Sequence, residues 1–325
     1  MTTVAEVFER YRAVILAKVS PGTARGYLVA WRRRVAPVLG DRDLEGMTTL
    51  DIELAFHSWS GSHSTRVDAL SLLSAVCRVA VKGGIITVNP CHGVERERVA
   101  QDDPTARALS LSEIDKLLSA LPTEGHYRRF VLAMLYTGCR LGEVAGLLVS
   151  DVDLDERIMR VRRTASAGLT GEIVVGPTKG RRARTVPMPA PLVPLVQEAM
   201  LGKGANDVLF TGPKGGVINS KNLSRGLDWH RVRDGIKTFP SGEPSLRWHD
   251  LRHTAATMLF LAGLSAPDVQ AILGHSSLTV TQLYANTRAD AARRGAAALT
   301  TLFENRTESI PRGEGSEKSA PDRGF

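Results

Sequence analysis

Apolar residues return every three or four positions through the first eighty residues of the chain, the period of helices that each bury one face. Thr3 and Glu6 stand in capping-box spacing ahead of Val4, Val7, Phe8, Tyr11 and Ile15, which share a face. A second helix is predicted from Pro21, with Tyr27, Trp31, Val35 and Val38 turned inward and Arg25, Arg32, Arg33 and Arg34 crowding the remaining surface. Two more helices are expected over 48–59 and 63–82, the latter stopped by Gly83 and Gly84. These four short helices predict a small compact domain over 1–98.

The pattern then lapses. The run ERERVAQDDPTAR is charged, carries a proline and lacks periodic apolar residues, so a linker is expected over 99–107. Periodicity resumes with Ser110 and Glu113 capping a helix that ends near Leu121, followed by a mostly apolar helix over 127–137. β-Branched stretches at 158–163, 172–175 and 184–188, parted by glycine-containing turns, predict a small antiparallel sheet. Helices are predicted again at 190–201, 219–236, 250–262 and 266–273, across Tyr284, and at 289–303. The polar segment 305–325 is expected to be a disordered tail. The fold class is therefore mainly α with a small antiparallel β-sheet (α+β), its second domain covering 108–304.

Composition narrows the class. A chain of 325 residues, 43% hydrophobic, is long enough to bury the cores of two domains. No apolar run approaches the roughly 18 residues of a membrane span, and Glu6 and Glu9 occupy the N-terminus where a secretory signal would need a basic start, so a cytoplasmic protein is expected. Cys77, Cys91 and Cys139 form no CxxC pair and read as three reduced thiols with no metal site. The formal charge of +8 favours a polyanionic partner without identifying it.

Chemistry enters with a few short motifs. In TGCRLGEVAGL, Glu143 lies one helical turn beyond Arg140 and can orient its guanidinium, although such a pair alone is usually a surface salt bridge. In HDLRHTAATMLF, His249 and Arg252 are three apart at a helix start and point to one target, while Leu251, Ala255, Met258 and Leu259 are free to pack. A zinc reading of His249 with His253 lacks the glutamate of a metalloprotease helix. Lys179 sits in the turn of PTKGRRARTVPM. His275 follows a helix-ending glycine in LGHSSLTVTQLYA, which ends on Tyr284, a residue type more often found as a core tyrosine when it stands alone.

One phenolic nucleophile and five groups able to meet a phosphate read together as DNA strand transfer. Phosphodiester exchange passes through a five-coordinate phosphorus whose nonbridging oxygens gain negative charge, and fixed donors such as Arg140 and Arg252 lower that barrier. No GxxxxGK[ST] loop is present, and TGPKGG at 211–216 is only a glycine-rich turn. No cofactor is expected.

In order and spacing, these motifs resemble those of the tyrosine recombinases, the family of phage integrases and Xer proteins, over most of residues 108–290. The resemblance implies that Tyr284 attacks a DNA phosphodiester to give a 3′-phosphotyrosine and a free 5′-hydroxyl. It further implies Lys179 as general acid, His249 as acid/base partner of the tyrosine, His275 as a phosphate donor and Glu143 as support for Arg140. The first domain resembles the family's SAM-like core-binding domain, and with the second would clamp double-stranded DNA at specific sites. Phosphate contacts are expected from Arg25, Arg32, Arg33, Arg34, Arg181, Arg182 and Arg184.

The apolar stretch beyond Tyr284 predicts a helix that needs a groove; the resemblance implies that it docks on a neighbouring protomer of a homotetramer on DNA, with packing in cis as the alternative, and an accessory directionality factor is a further implied partner. The chain opens directly on the core-binding pattern, so no extra arm-binding domain is expected. An integrase of a phage or other mobile element is the favoured reading. Its alternatives are a Xer-type chromosome dimer resolvase, a type IB topoisomerase-like enzyme and a non-cleaving DNA-binding regulator.

Overall fold

A computed structural model describes residues 1–95, 106–168, 172–178, 183–237, 239 and 245–274. The described chain is mostly helical, with two small antiparallel sheets. Helices α1 (Val4–Ala17), α2 (Pro21–Ala30), α3 (Ala36–Leu39), α4 (Thr49–Ser58) and α5 (His63–Lys82) enclose one core. Phe8 stacks on Trp31 at 4.1 Å, and Leu70, Leu73, Val76, Cys77 and Ala80 supply the buried stripe of α5. The expected capping box is present: the Thr3 side chain accepts from Glu6 N–H, and Glu6 accepts from Thr3 N–H.

Between α2 and α3 the helix widens into a π turn, Trp31–Val35, in which Ala36 N–H donates to the carbonyl of Trp31. The extra residue delays the inward stripe, which runs through Trp31, Val35 and Leu39 and leaves Val38 45% exposed. Val38 therefore does not face inward as its spacing predicts. Arg32 and Arg33 are exposed on this turn. Arg34 is half-buried and donates from Nε to the carbonyl of Ser60 at 2.8 Å.

A second core is built around α7 (His126–Thr137), where six consecutive residues from Phe130 to Leu135 are buried. A helix buried nearly all round must be central, and α6 (Leu111–Ala120), α9 (Val193–Met200) and α12 (Asp250–Leu261) all belong to this unit. The sheet prediction is corrected in detail. The expected strand over 158–163 divides into β2 (Ile158–Val161) and β3 (Arg163–Ala167), which join different sheets. One sheet runs β1 (Val152–Asp153), β2, β5 (Arg184–Pro187), with Val161 opposite Arg184; the other pairs β3 with β4 (Ile173–Pro177). Arg163 bonds the buried Asp151 carboxylate where the chain changes sheet.

The helix predicted over 219–236 is likewise interrupted, giving α10 (Ser220–Gly226) and α11 (Trp229–Asp234). Asp228 between them has φ +48°, and a Cβ on Gly226 would come within 2.1 Å of the Tyr127 ring, so close packing on α7 sets the break. The expected linker also ends earlier than Arg107, whose side chain is 2% exposed within the second unit. No helix among the described residues is long and apolar enough to cross a membrane. The predicted helices across Tyr284 and at 289–303, and the tail 305–325, lie outside the described residues, as does most of the linker.

Candidate active site

Arg140 is delivered by the end of α7. The helix stops at Gly138, which has φ +65° and donates its N–H to the Met134 carbonyl. Cys139 is fully buried, and Arg140 then takes extended backbone as the residue capping α8 (Leu141–Ala145). Gly138 is required twice over. Left-handed backbone costs other residues about 1–2 kcal/mol, and a Cβ there would stand 2.4 Å from a Leu273 methyl and 3.1 Å from Ala255. Gly138→Ala is therefore expected to destabilise the protein by about 2–4 kcal/mol, read as a lowered midpoint in urea unfolding. An unchanged midpoint would contradict the packing described.

Glu143 is 2% exposed, so its link to Arg140 is no ordinary surface pair. Its carboxylate accepts from Arg140 N–H at 2.8 Å and from Arg140 Nη1 at 2.9 Å. It also receives both terminal nitrogens of Arg184, at 3.0 and 2.6 Å. Burial alone would raise the carboxyl's pKa, but the hydrogen bonds and charge of Arg184, joined by Arg140, outweigh it and hold the group at about 2. Its ordinary value is 4.5, so the native state keeps this proton off where the unfolded chain binds it. The stabilisation, about 3 kcal/mol, is complete above pH 4.5 and is lost as pH falls through about 2. Unfolding free energies measured in urea across this acid range should decline in the wild type, and the Glu143→Gln variant should lack that component.

Arg252 reaches the same place from the first turn of α12. It is 2% exposed and donates from Nη1 to the Gly138 carbonyl at 2.9 Å and from Nη2 to the Leu273 carbonyl at 2.7 Å. Leu273 ends α13 (Ala266–Leu273), so the guanidinium rests at the negative end of that helix dipole. Burial, then the nearby Arg140 charge, bring its pKa down to about 10, with Glu143 opposing. Arg140 and Arg184 thus share the single carboxylate of Glu143, and Arg252 lies close enough to feel all three charges, leaving an excess of positive charge suited to an anion. Of the three guanidinium groups, Arg140 is the most accessible, its side chain 32% exposed.

His249 stands at the N-cap of α12 and is exposed at the surface. The preceding Trp248 is fixed by stacking on Trp229 at 3.8 Å and by donating to Ser224 Oγ at 3.1 Å. Desolvation, then the Arg252 and Arg140 charges, lower the His249 pKa and favour the neutral ring. The neutral imidazole is a proton acceptor near pH 7. Its neighbour His253 lies edge-on at 4.9 Å and is brought down to about 4, first by burial and then by His249.

Several contributors were not singled out from the sequence. Arg107 holds the buried Asp250 carboxylate through Nη2 at 2.7 Å and lies 3.9 Å over the Phe239 ring, securing the start of α12. Thr254 accepts from Leu109 N–H at 2.9 Å. Arg184, expected as a DNA contact, is instead 9% exposed at its side chain and committed to Glu143 and to the Ile272 carbonyl. Strand period could have revealed it, because Arg184 shares a face with the buried Val186. Arg25 is half-buried on α2. Lys179, Arg181, Arg182, His275 and Tyr284 lie outside the described residues, although Gly274 brings the described chain to the residue before His275.

The sequence profile of the phage integrase family matches residues 107–290. The chain is 30% identical over 271 residues to the integrase of Mycobacterium phage D29, an alignment covering 81% of this chain and 69% of that protein. It is 28% identical over 300 residues to the tyrosine recombinase XerC of Corynebacterium efficiens, covering 87% and 86%. Among solved structures, the Tn1549 transposon integrase in complex with a circular intermediate DNA is similar with a TM-score of 0.70 at 20% identity, covering 92% of this chain and all of that one. The lambda integrase tetramer bound to a Holliday junction gives 0.60 at 20% identity, covering 86% and 79%. These structural likenesses establish the fold.

Proposed function

Since the chain belongs to the phage integrase family and is a site-specific tyrosine recombinase, we propose that it breaks and rejoins DNA through Tyr284, with Arg140 and Arg252 clamping the scissile phosphate. One observation carries the assignment of the clamp: Arg252 bonds the carbonyl of Gly138, two residues ahead of Arg140, although more than a hundred residues separate the two arginines. In the proposed step the Tyr284 oxygen bonds to phosphorus, the 5′-oxygen departs, and a 3′-phosphotyrosine retains the energy of the bond it replaced. His249, held neutral, takes the phenolic proton; Lys179 protonates the departing 5′-oxygen; His275 donates to a nonbridging oxygen. The free 5′-hydroxyl of a second strand then reverses the sequence.

The relatives from mycobacteriophages support an integrase of a phage or other mobile element. Residues 1–98 serve as the core-binding domain, in which the exposed Arg32 and Arg33 are the best-placed phosphate contacts. Four protomers on two DNA sites, joined by exchange of the segment 289–303 and aided by a directionality factor, complete the proposed assembly; the lambda integrase tetramer supports this reading by analogy of fold. Sequencing the DNA ends trapped on purified protein tests it. A single short recurrent site is expected. Ends at unrelated sequences, with relaxation of any supercoiled plasmid, would instead indicate a topoisomerase-like activity.

A further inference from the structure

Arg184 is a largely buried cation outside the residues assigned to the chemistry. Its Nη1 and Nη2 donate to the two oxygens of Glu143, at 3.0 and 2.6 Å, and its Nε donates to the Ile272 carbonyl at 2.8 Å. Arg252 takes the next carbonyl, that of Leu273, so two arginines from separate elements grip consecutive carbonyls at the last turn of α13. The chain leaves this grip at Gly274, where φ is +70° and a Cβ would stand 2.9 Å from the Arg184 side chain. His275 follows directly. Arg184 also begins β5, paired with Val161 of β2, five residues after Lys179 in the sequence.

We propose that Arg184 is a positioning residue for strand cleavage: it locks Glu143, and through it Arg140, to the end of α13 and to the start of β5, so that groups from three segments share one register. The proposal rests on the phosphotyrosine mechanism above. A single guanidinium suits this work because its planar fork fills both oxygens of one carboxylate while Nε remains for a third acceptor. A lysine offers one charged nitrogen and cannot span the same three positions. With Nε and both terminal nitrogens each given to a protein acceptor, Arg184 acts on the phosphate through its neighbours.

The test compares wild type, Arg184→Gln and Arg184→Lys on a suicide duplex carrying the protein's own site, with either an ordinary or a methylphosphonate linkage at the scissile position. Replacing a nonbridging oxygen by methyl removes the charge that the arginine clamp answers. Relative to wild type on the same substrate, Arg184→Gln should cleave the ordinary duplex about a hundredfold more slowly, with duplex affinity held within about threefold. On the methylphosphonate its deficit should shrink to below about tenfold, because less charge develops for a misplaced Arg140 to miss. Arg184→Lys should recover part of the rate and retain the folded state if the glutamine variant does not fold.

Equal deficits on both substrates, cleavage by Arg184→Gln at the wild-type rate, or loss of fold in both variants would overturn the proposal. Failure of the wild type to form a tyrosyl adduct would instead strike the underlying mechanism.

Discussion

Tyr284→Phe is expected to bind its DNA site with wild-type affinity and to form no covalent adduct with a suicide duplex. The substitution removes one oxygen and retains the ring, so the contacts that hold the duplex are unchanged while the group that bonds to phosphorus is gone. No described side chain at the site is positioned to replace it: Cys139 is buried and its thiol pKa is raised by that burial, which disfavours the thiolate. Loss of the nucleophile in a serine protease costs on the order of 10⁶-fold in rate, and a deficit of that order places any residual cleavage below detection. Gel shift and denaturing gel electrophoresis of the same sample separate the two properties. An undiminished adduct would refute the assignment of Tyr284.

Arg252→Ala is expected to slow cleavage by two to three orders of magnitude, about 3–4 kcal/mol in the barrier, as for removal of one oxyanion donor. It also strips the Gly138 and Leu273 carbonyls of their donor, so the variant should lose about 1–3 kcal/mol of stability. Arg140→Ala should show a similar rate deficit with a smaller loss of stability, because Glu143 keeps its pairing with Arg184. Arg252→Lys should not restore the rate. The guanidinium gives separate nitrogens of one planar fork to the Gly138 and Leu273 carbonyls, which the single charged nitrogen of a lysine does not reproduce. Single-turnover cleavage on a suicide duplex, with urea unfolding of the same preparations, measures both effects. Wild-type rates in Arg252→Ala would remove the clamp from the mechanism.

The sequence made legible what depends on neighbours along the chain. The spacing of Arg140 with Glu143 is short enough for helical geometry to dictate, and that pair stands where the geometry requires, while His249 and Arg252 share the start of α12. Capping boxes at Thr3 and Ser110 are local in the same way. The less legible features depend on contacts between distant segments. Arg184 sits in a basic run and reads as surface charge, until β5 pairs with β2 and carries it beneath Glu143. Arg107 follows a charged stretch and reads as linker, yet Asp250 draws it into the interior.

Val38 was displaced from the inward stripe by a single added residue in a π turn, and the break at Asp228 answers to a tyrosine ring on another helix. Periodicity counts residues along one element and carries no information about what approaches from outside it. The residues that the sequence marks for chemistry are legible there because chemistry demands particular side chains. Those that hold them in place, a glycine at 138 and arginines at 107 and 184, are recognisable only once their partners are known.

Mapping the adduct by mass spectrometry tests the central claim most directly. The wild-type protein is trapped on a suicide duplex, digested with nuclease and protease, and the modified peptide sequenced. The account predicts a nucleotide joined through its 3′-phosphate to Tyr284, with a 5′-hydroxyl on the released strand. A nucleotide on any other residue, or a linkage through a 5′-phosphate, would contradict it.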